Sequence, residues 1–321
     1  MPSKLHHLFK KNYSLSCLYY ILYNVYSSLK RAVGNIKTIS GTTHSKLSTK
    51  ESLDYILEVF DDYKKIANID KFHGKIAEIG PGDNAGVALC MIEDGCTRID
   101  LADRFYSLRN PEQQKEIYQE LLKSKSKLRK YLETCDLSDE STFPNIKRHY
   151  GQNAAAEIFF QRNSGYDFII SRSVLEHVDD PVLVLKEMFK ALKPGGKLIH
   201  KVDLKDHGMF SNHFHELKFF EISDFLYQLM TYKSGYPNRV LINQYRDTLD
   251  SLGCQYKLFV TQLARVGPII PQVEFNKISK TKRDKALDYI RQYKAKFALS
   301  LKHLDEKDLV VSGFFLVATK K

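Results

Sequence analysis

Residues Lys75-Ile-Ala-Glu-Ile-Gly-Pro-Gly-Asp-Asn-Ala-Gly86 set an acid, Glu78, two positions ahead of glycines at 80, 82 and 86. Glycines at a strand-to-helix bend let the backbone approach a ligand closely, and Asp83 or Asn84 can cap the helix that follows. The spacing is GxGxxxG, not the GxGxxG of dinucleotide sites. A carboxylate this close to the bend would repel a diphosphate and suits a ligand bearing an ammonium or sulfonium group. Asp103 follows 23 residues after Gly80, at the tip of the next apolar run. A carboxylate there can accept hydrogen bonds from ribose hydroxyls; an aspartate of a surface loop is the competing reading.

A second set of polar residues lies downstream. Ser171, Ser173, Glu176 and His177 follow the apolar run Asp167-Phe-Ile-Ile, and His200-Lys-Val-Asp-Leu-Lys-Asp-His207 is trailed by His213 and His215. Imidazoles and carboxylates are the side chains that move protons near neutral pH. Asp203 ends its apolar run, Asp206 and His207 begin the next loop, and His200 sits within the run, where a satisfied core histidine is expected. Asp203, Asp206 and His207 could also hold a divalent ion. Mixed Asp/His clusters are more often hydrogen-bonded networks, so no metal is assigned.

The elements that must position these residues are legible in the hydrophobic periodicity. Helical spacing runs from Glu51 to Ile69 through Leu53, Ile56, Leu57, Phe60, Tyr63 and Ile66. IAEIG (76–80), TRIDLAD (97–103), YDFIIS (166–171) and KLIHKVD (197–203) read as strands, with helices over Val87–Asp94 and Pro181–Leu192. Strands alternating with helices imply a parallel sheet covered on both faces. Pro111–Glu133 reads as a charged, largely exposed helical insertion. Cys254–Gln262 and Leu309–Thr319 read as closing strands, with a Lys-rich helix over Lys280–Lys302 between them.

Taken together, EIGPG, LADRF, DFIISRSVLEHV and LKPGGKL resemble the class I S-adenosylmethionine-dependent methyltransferases over roughly 74–202. The resemblance implies a doubly wound, Rossmann-like α/β fold. Its sheet has seven mostly parallel strands with helices on both faces, and the ligand lies across the strands' carboxyl ends. It also implies a residue set for the cofactor, S-adenosylmethionine. Gly80, Pro81 and Gly82 would line the methionine moiety, with Glu78 supporting the loop or the amino group. Asp103 would hold the ribose, and Arg104 or Phe105 would flank the adenine. Many relatives place an Asp in a GDAE-like run beside the adenine amine, whereas this chain has Ala154-Ala-Ala-Glu157, with Ala155 at that position. Glu157, Asn153 or a backbone group such as that of Ala156 would take over, and Ser171 completes the set.

Methyl transfer is an in-line displacement that gains much from alignment. A hydroxyl acceptor also needs a base, for which His177, Asp203, His207 and His213 are the candidates. For His177, shaping the pocket or capping a helix is an equal alternative. The aromatic-rich stretch Phe214–Leu252, with Tyr236-Pro-Asn-Arg239, reads as an acceptor-side cover or as a helical seam.

Composition bounds the rest. The 321 residues carry 43% hydrophobic and 27% charged side chains, as a soluble globular chain does. The net charge of +11 is lopsided: residues 1–50 hold eight Lys/Arg and no acid, leaving 41 basic and 38 acidic residues in the other 271. A nearly neutral body argues against a broad nucleic-acid groove. Five scattered cysteines without a CxxC fit reduced thiols and a cytoplasmic setting. The expected organisation is a basic aromatic arm and linker (1–50) and a methyltransferase domain (51–321). Within the domain lie a cofactor core (74–203), a cover (204–252) and closing elements (253–321). The arm, with Leu15–Lys30 rich in tyrosine, has four readings: a helix on the protein's own core, peripheral membrane contact through residues 1–31, a targeting peptide, or an RNA-binding arm. The expected activity is O-methylation of a small molecule or saccharide. The alternatives are RNA methylation guided by the arm, or a non-catalytic binding protein that keeps the fold.

Overall fold

The computed structural model describes residues 11–321, so the first ten residues of the basic arm, and with them part of the 1–31 segment read for membrane contact, lie outside the described residues. Helix α1 (Tyr13–Ala32) starts at Asn12, whose side chain accepts from Leu15 N at 3.2 Å. Helix α2 (Thr49–Ala67) opens on a reciprocal cap in which Ser48 Oγ accepts from Glu51 N and Glu51 accepts from Ser48 N. The alternating region follows: β1 (Gly74–Ile79), α3 (Gly86–Asp94), β2 (Cys96–Asp103), α4 (Pro111–Lys123), β3 (Ile146–Tyr150), α5 (Ala156–Arg162), β4 (Tyr166–Arg172), α6 (Pro181–Ala191) and β5 (Leu192–Asp203). Beyond it come α7 (Asp224–Thr231), α8 (Ile242–Ser251), β6 (Gln255–Leu263), β7 (Gly267–Val273), α9 (Lys280–Lys294) and β8 (Val311–Thr319).

The mixed α/β sheet has eight strands, not the expected seven. The additional strand is β7, antiparallel to β6 with Val260 opposite Val273 and Leu263 opposite Gly267. It ends the strand order, and that edge position tolerates Pro268 and Pro271, which have no N–H to donate. The same two prolines hide it from a reading of apolar runs.

By its contacts the chain forms two compact units. Among the described residues, the first comprises 36–172, 183–200 and 317–321; the second comprises 11–35, 173–182 and 201–316.

In the first unit the strand order is β3-β2-β1-β4-β5. The parallel register sets Ile79 opposite Ala102 and Ser171, and Asp103 opposite Tyr150, so the carboxyl ends of β1 to β4 share one edge. Ile76, Ile99, Leu101, Ile169 and Ile170 are fully buried, as expected for a sheet covered on both sides. The insertion over Pro111–Glu133 is helical as expected but amphipathic, with one side in the core. It is broken after Lys123, and Ile117, Tyr118, Leu121 and Leu128 are all buried. Residues 36–50, expected as linker, are ordered: Lys37–Thr38 pairs in parallel with Tyr106–Ser107.

In the second unit, one face of α1 packs on α7. Tyr20, fully buried, donates to Met209 O at 3.0 Å, and Asn24 donates to Leu229 O at 2.9 Å. Of the four readings of the arm, packing on the protein's own body holds for this face. The other face stays open, with Leu18, Leu22, Val25 and Leu29 between 47% and 63% exposed. Among the described residues, no helix is long and apolar enough to cross a membrane.

Candidate functional site

In the first unit the bend after β1 is held from several sides. Gly80 and Gly82 lie at φ 67° and 65°, the left-handed region that glycine enters without strain. A Cβ on Gly82 would stand 2.7 Å from the Gly41 carbonyl oxygen, so the 36–50 segment can lie against the loop only because this residue is glycine. Asp83 N donates to that same carbonyl at 3.1 Å, while the Asp83 carboxylate accepts from His44 N and Ser45 N at 3.3 and 3.1 Å. Asn84 Oδ1 accepts from Gly86 N at 2.6 Å, its amide donates to Gln114, and Tyr118 Oη accepts from Ala85 N at 2.9 Å. Neither Asp83 nor Asn84 is the N-cap as expected: that position is Ala85, without a side-chain cap bond. Asn84 meets the first helical N–H from one residue earlier, and Asp83 ties the loop to residues 41–45.

A buried ionic group underlies the loop. Glu140 accepts from Arg109 at 2.7 Å, and also from Arg148 and the Tyr118 hydroxyl. Arg148, on β3, extends from this group to the Gly82 carbonyl at 3.0 Å. Its other terminal nitrogen, Nη2, is buried with no acceptor among the described residues. Sequence reasoning missed Arg148, Glu140, Gln114 and Tyr118, since no local motif links residues this far apart in the chain.

Glu78, next to last in β1, is 8% exposed with no hydrogen-bond donor among the described residues, and burial pushes its carboxyl up to about 7 against the pull of Arg148. Burial likewise lifts Asp103 to about 6, with the Phe105 N–H, Arg148 and Arg104 pulling it back. Arg104 pairs with Glu157 at 3.0 Å, joining the ends of β2 and α5. Ala155 and Ala156 are buried at the start of α5. Ser171 is fully buried, its hydroxyl 2.8 Å from Nδ1 of the equally buried His200. His200 takes the core position expected of it but is only half satisfied, since its Nε2 has no partner among the described residues. A buried carboxyl lacking a donor and a buried guanidinium with one nitrogen, Nη2, lacking an acceptor suit the ammonium and carboxylate of a zwitterion.

In the second unit Glu176, His177 and His207 come together. His177 Nδ1 donates to the Gly235 carbonyl at 2.9 Å, which places the ring proton on Nδ1 and leaves the Nε2 lone pair open. Burial, with His207 adding to it, lowers His177 to about 4, so its imidazole is neutral at physiological pH. The two rings stand edge to face, with centroids 4.8 Å apart. His207 Nε2 lies 3.9 Å from the Asp203 carboxylate. Asp206 serves the backbone instead, accepting from the N–H groups of Gly208, Phe210 and Ser211 at 3.0, 2.7 and 2.7 Å, which shapes the turn carrying His207 at φ 50°. His213 is not part of the Glu176–His177–His207 group, and His215 stacks on Tyr293 and bonds Glu221.

The same unit contains a cavity of about 560 Å³ whose lining includes His177, Gln228, Lys233, Tyr236 and Asn243. Arg239 also reaches this wall, yet its guanidinium is engaged by the Phe219 and Ile222 carbonyls at 3.0 and 2.6 Å and by Asp224. It frames the cavity and has little left to offer an anion. Tyr227 and Phe219 are buried, in keeping with a helical seam.

Residues 53–246 match the family described as "Methyltransferase domain". No curated protein matches the chain by sequence. Among solved structures, phosphoethanolamine N-methyltransferase 2 of Haemonchus contortus in complex with S-adenosyl-L-methionine is 15% identical with a TM-score of 0.42. That alignment covers 82% of this chain and 52% of the other, so the chain spans about half the length of that protein. The YcgJ protein of Bacillus subtilis is 12% identical with a TM-score of 0.40, covering 82% of this chain and 97% of that one.

Proposed function

The chain belongs to the family described as "Methyltransferase domain", and from that premise we propose that it is an S-adenosylmethionine-dependent enzyme that methylates a hydroxyl oxygen of a small molecule or saccharide. When bound, S-adenosylmethionine supplies a methyl carbon on a positively charged sulfur that departs as a neutral thioether. The first unit's residues fit that donor. The Glu78 carboxylate suits the ammonium group, Arg148 Nη2 the methionine carboxylate, and the Gly80–Gly82 backbone a close approach. Asp103 holds the ribose, with Arg104, Phe105, Ala156 and Glu157 toward the base and Ser171 packed beneath.

The observation that carries the choice of oxygen is His177. A neutral imidazole with Nδ1 already committed to Gly235 has Nε2 free to take a hydroxyl proton, and it lines a cavity large enough for a small acceptor. The Asp203 carboxylate favours the imidazolium that results, whereas His207, edge to face with the ring, opposes it. The test is to incubate the enzyme and isotopically labelled donor with separate pools of small metabolites, glycans, lipids and RNA. Labelled methyl ethers support the reading, and label found only as methyl esters counts against a hydroxyl acceptor. Label found only on nitrogen, on carbon or in RNA overturns it.

A second part of this reading concerns α1. Its exposed row of Leu18, Leu22, Val25 and Leu29, with Lys30 and Arg31 at its end and no acid in residues 1–50, supports peripheral contact with an anionic membrane.

A further inference from the structure

The group formed by Glu176, His177 and His207 has features that proton transfer alone does not require. One ligand atom from each residue lies within 4.8 Å of the other two. His207 Nε2 stands 4.0 Å from Glu176 Oε1, too far for a hydrogen bond, and 3.9 Å from Asp203. His177 is oriented by its Nδ1 bond to a backbone carbonyl, the arrangement that commonly fixes the tautomer of a metal-binding imidazole.

A second observation is independent of that clustering. Glu176 is 1% exposed; its Oε1 accepts from Asp203 N at 3.3 Å, but its buried Oε2 has no partner among the described residues. A buried carboxylate oxygen without a donor is costly, and a cation beside it would remove the cost.

We propose that Glu176, His177 and His207 bind one divalent transition-metal ion, with the Asp203 carboxylate close by. Two imidazoles and a carboxylate suit ions of the Mn²⁺-to-Zn²⁺ series, whereas Ca²⁺ and Mg²⁺ prefer oxygen donors throughout. The site does not depend on which atom the enzyme methylates, but with the ion bound His177 Nε2 is a ligand, so the base role proposed above belongs to the metal-free protein.

The test reads metal and not turnover. The full chain is stripped with a chelator, dialysed against Mn²⁺ or Zn²⁺ and analysed for bound ion, with paramagnetic resonance reporting Mn²⁺ directly. One ion per chain is expected, bound at least tenfold more weakly by Glu176→Gln and by His207→Ala, and equally well by the control His73→Ala. Since Glu176 is buried and its replacement could unfold the protein, the partly exposed His207 provides the decisive variant. Absence of stoichiometric uptake of either ion, or unchanged affinity in folded His207→Ala, overturns the proposal. Binding of S-adenosylhomocysteine, followed separately by calorimetry, keeps this outcome distinct from a failure of the cofactor assignment.

Discussion

Arg148 Nη1 donates to the carbonyl oxygen of Gly82 at 3.0 Å across 66 residues of sequence. That bond connects the glycine bend to the Glu140 group and, through Arg148 Nη2, leaves a buried donor beside the same loop. The glycine bend is therefore anchored by a buried charge.

Arg148→Ala strands Glu140 with only Arg109 as a cation and releases Gly82. Removing one partner of a buried pair costs roughly 3–5 kcal/mol, and a loss of about 3 kcal/mol in urea unfolding is expected here. A loss below about 1 kcal/mol would show that the group is not a structural anchor.

Asp103→Ala removes the carboxylate assigned to the ribose while leaving β2 intact. Charge-assisted hydrogen bonds are worth about 1.5–3 kcal/mol, so S-adenosylhomocysteine affinity by calorimetry should fall at least tenfold in a protein with unchanged circular dichroism. Undiminished affinity would remove Asp103 from the site.

His177→Ala and Asp203→Ala should keep S-adenosylhomocysteine binding but slow turnover, by about a hundredfold for the proposed base His177. The pH profile sharpens the test. Burial lowers His177 to about 4, so the neutral, proton-accepting form persists as pH falls from 8 toward 5 and is lost only as pH drops through that value. The acidic limb of kcat/KM should lie well below the usual histidine range. A limb near 6.5, or wild-type rates in His177→Ala, would assign the base elsewhere.

The exposed side of α1 can be read with vesicles. Co-sedimentation with vesicles containing phosphatidylserine is expected to exceed that with neutral vesicles and to weaken in high salt. Leu22→Glu with Leu29→Glu should lower it at least tenfold. Both leucines are more than half exposed, so folding should survive the change. Equal recovery with both vesicle types and both proteins would end the membrane reading.

Much of the first unit was legible in the sequence because its signals are local. The ordered strand, glycine bend and helix around Gly80, and the acid at the tip of β2, depend on spacings of a few residues that backbone geometry translates directly. The periodicity of the α2 helix was equally local. Elements whose identity depends on what they pack against were harder to read. The charged run over Pro111–Glu133 gave little sign that Tyr118 would be buried beneath the glycine bend. The prolines of β7 concealed an edge strand. The Ser/Thr/Gly composition of residues 36–50 looked like linker, although Gly41 and Ser45 hold Asp83.

By itself, then, the chain's order of residues determined the strand-and-helix alternation, the family and the glycine bend, since short-range sterics and hydrophobic period decide these. Only the tertiary structure decided that Asp206 shapes a turn while Glu176 meets His207, and that Arg148 reaches Gly82. Such pairings depend on which distant residues the packed core brings within a few ångströms, and burial is then the largest influence on the charge that Glu78, Asp103 and His177 carry.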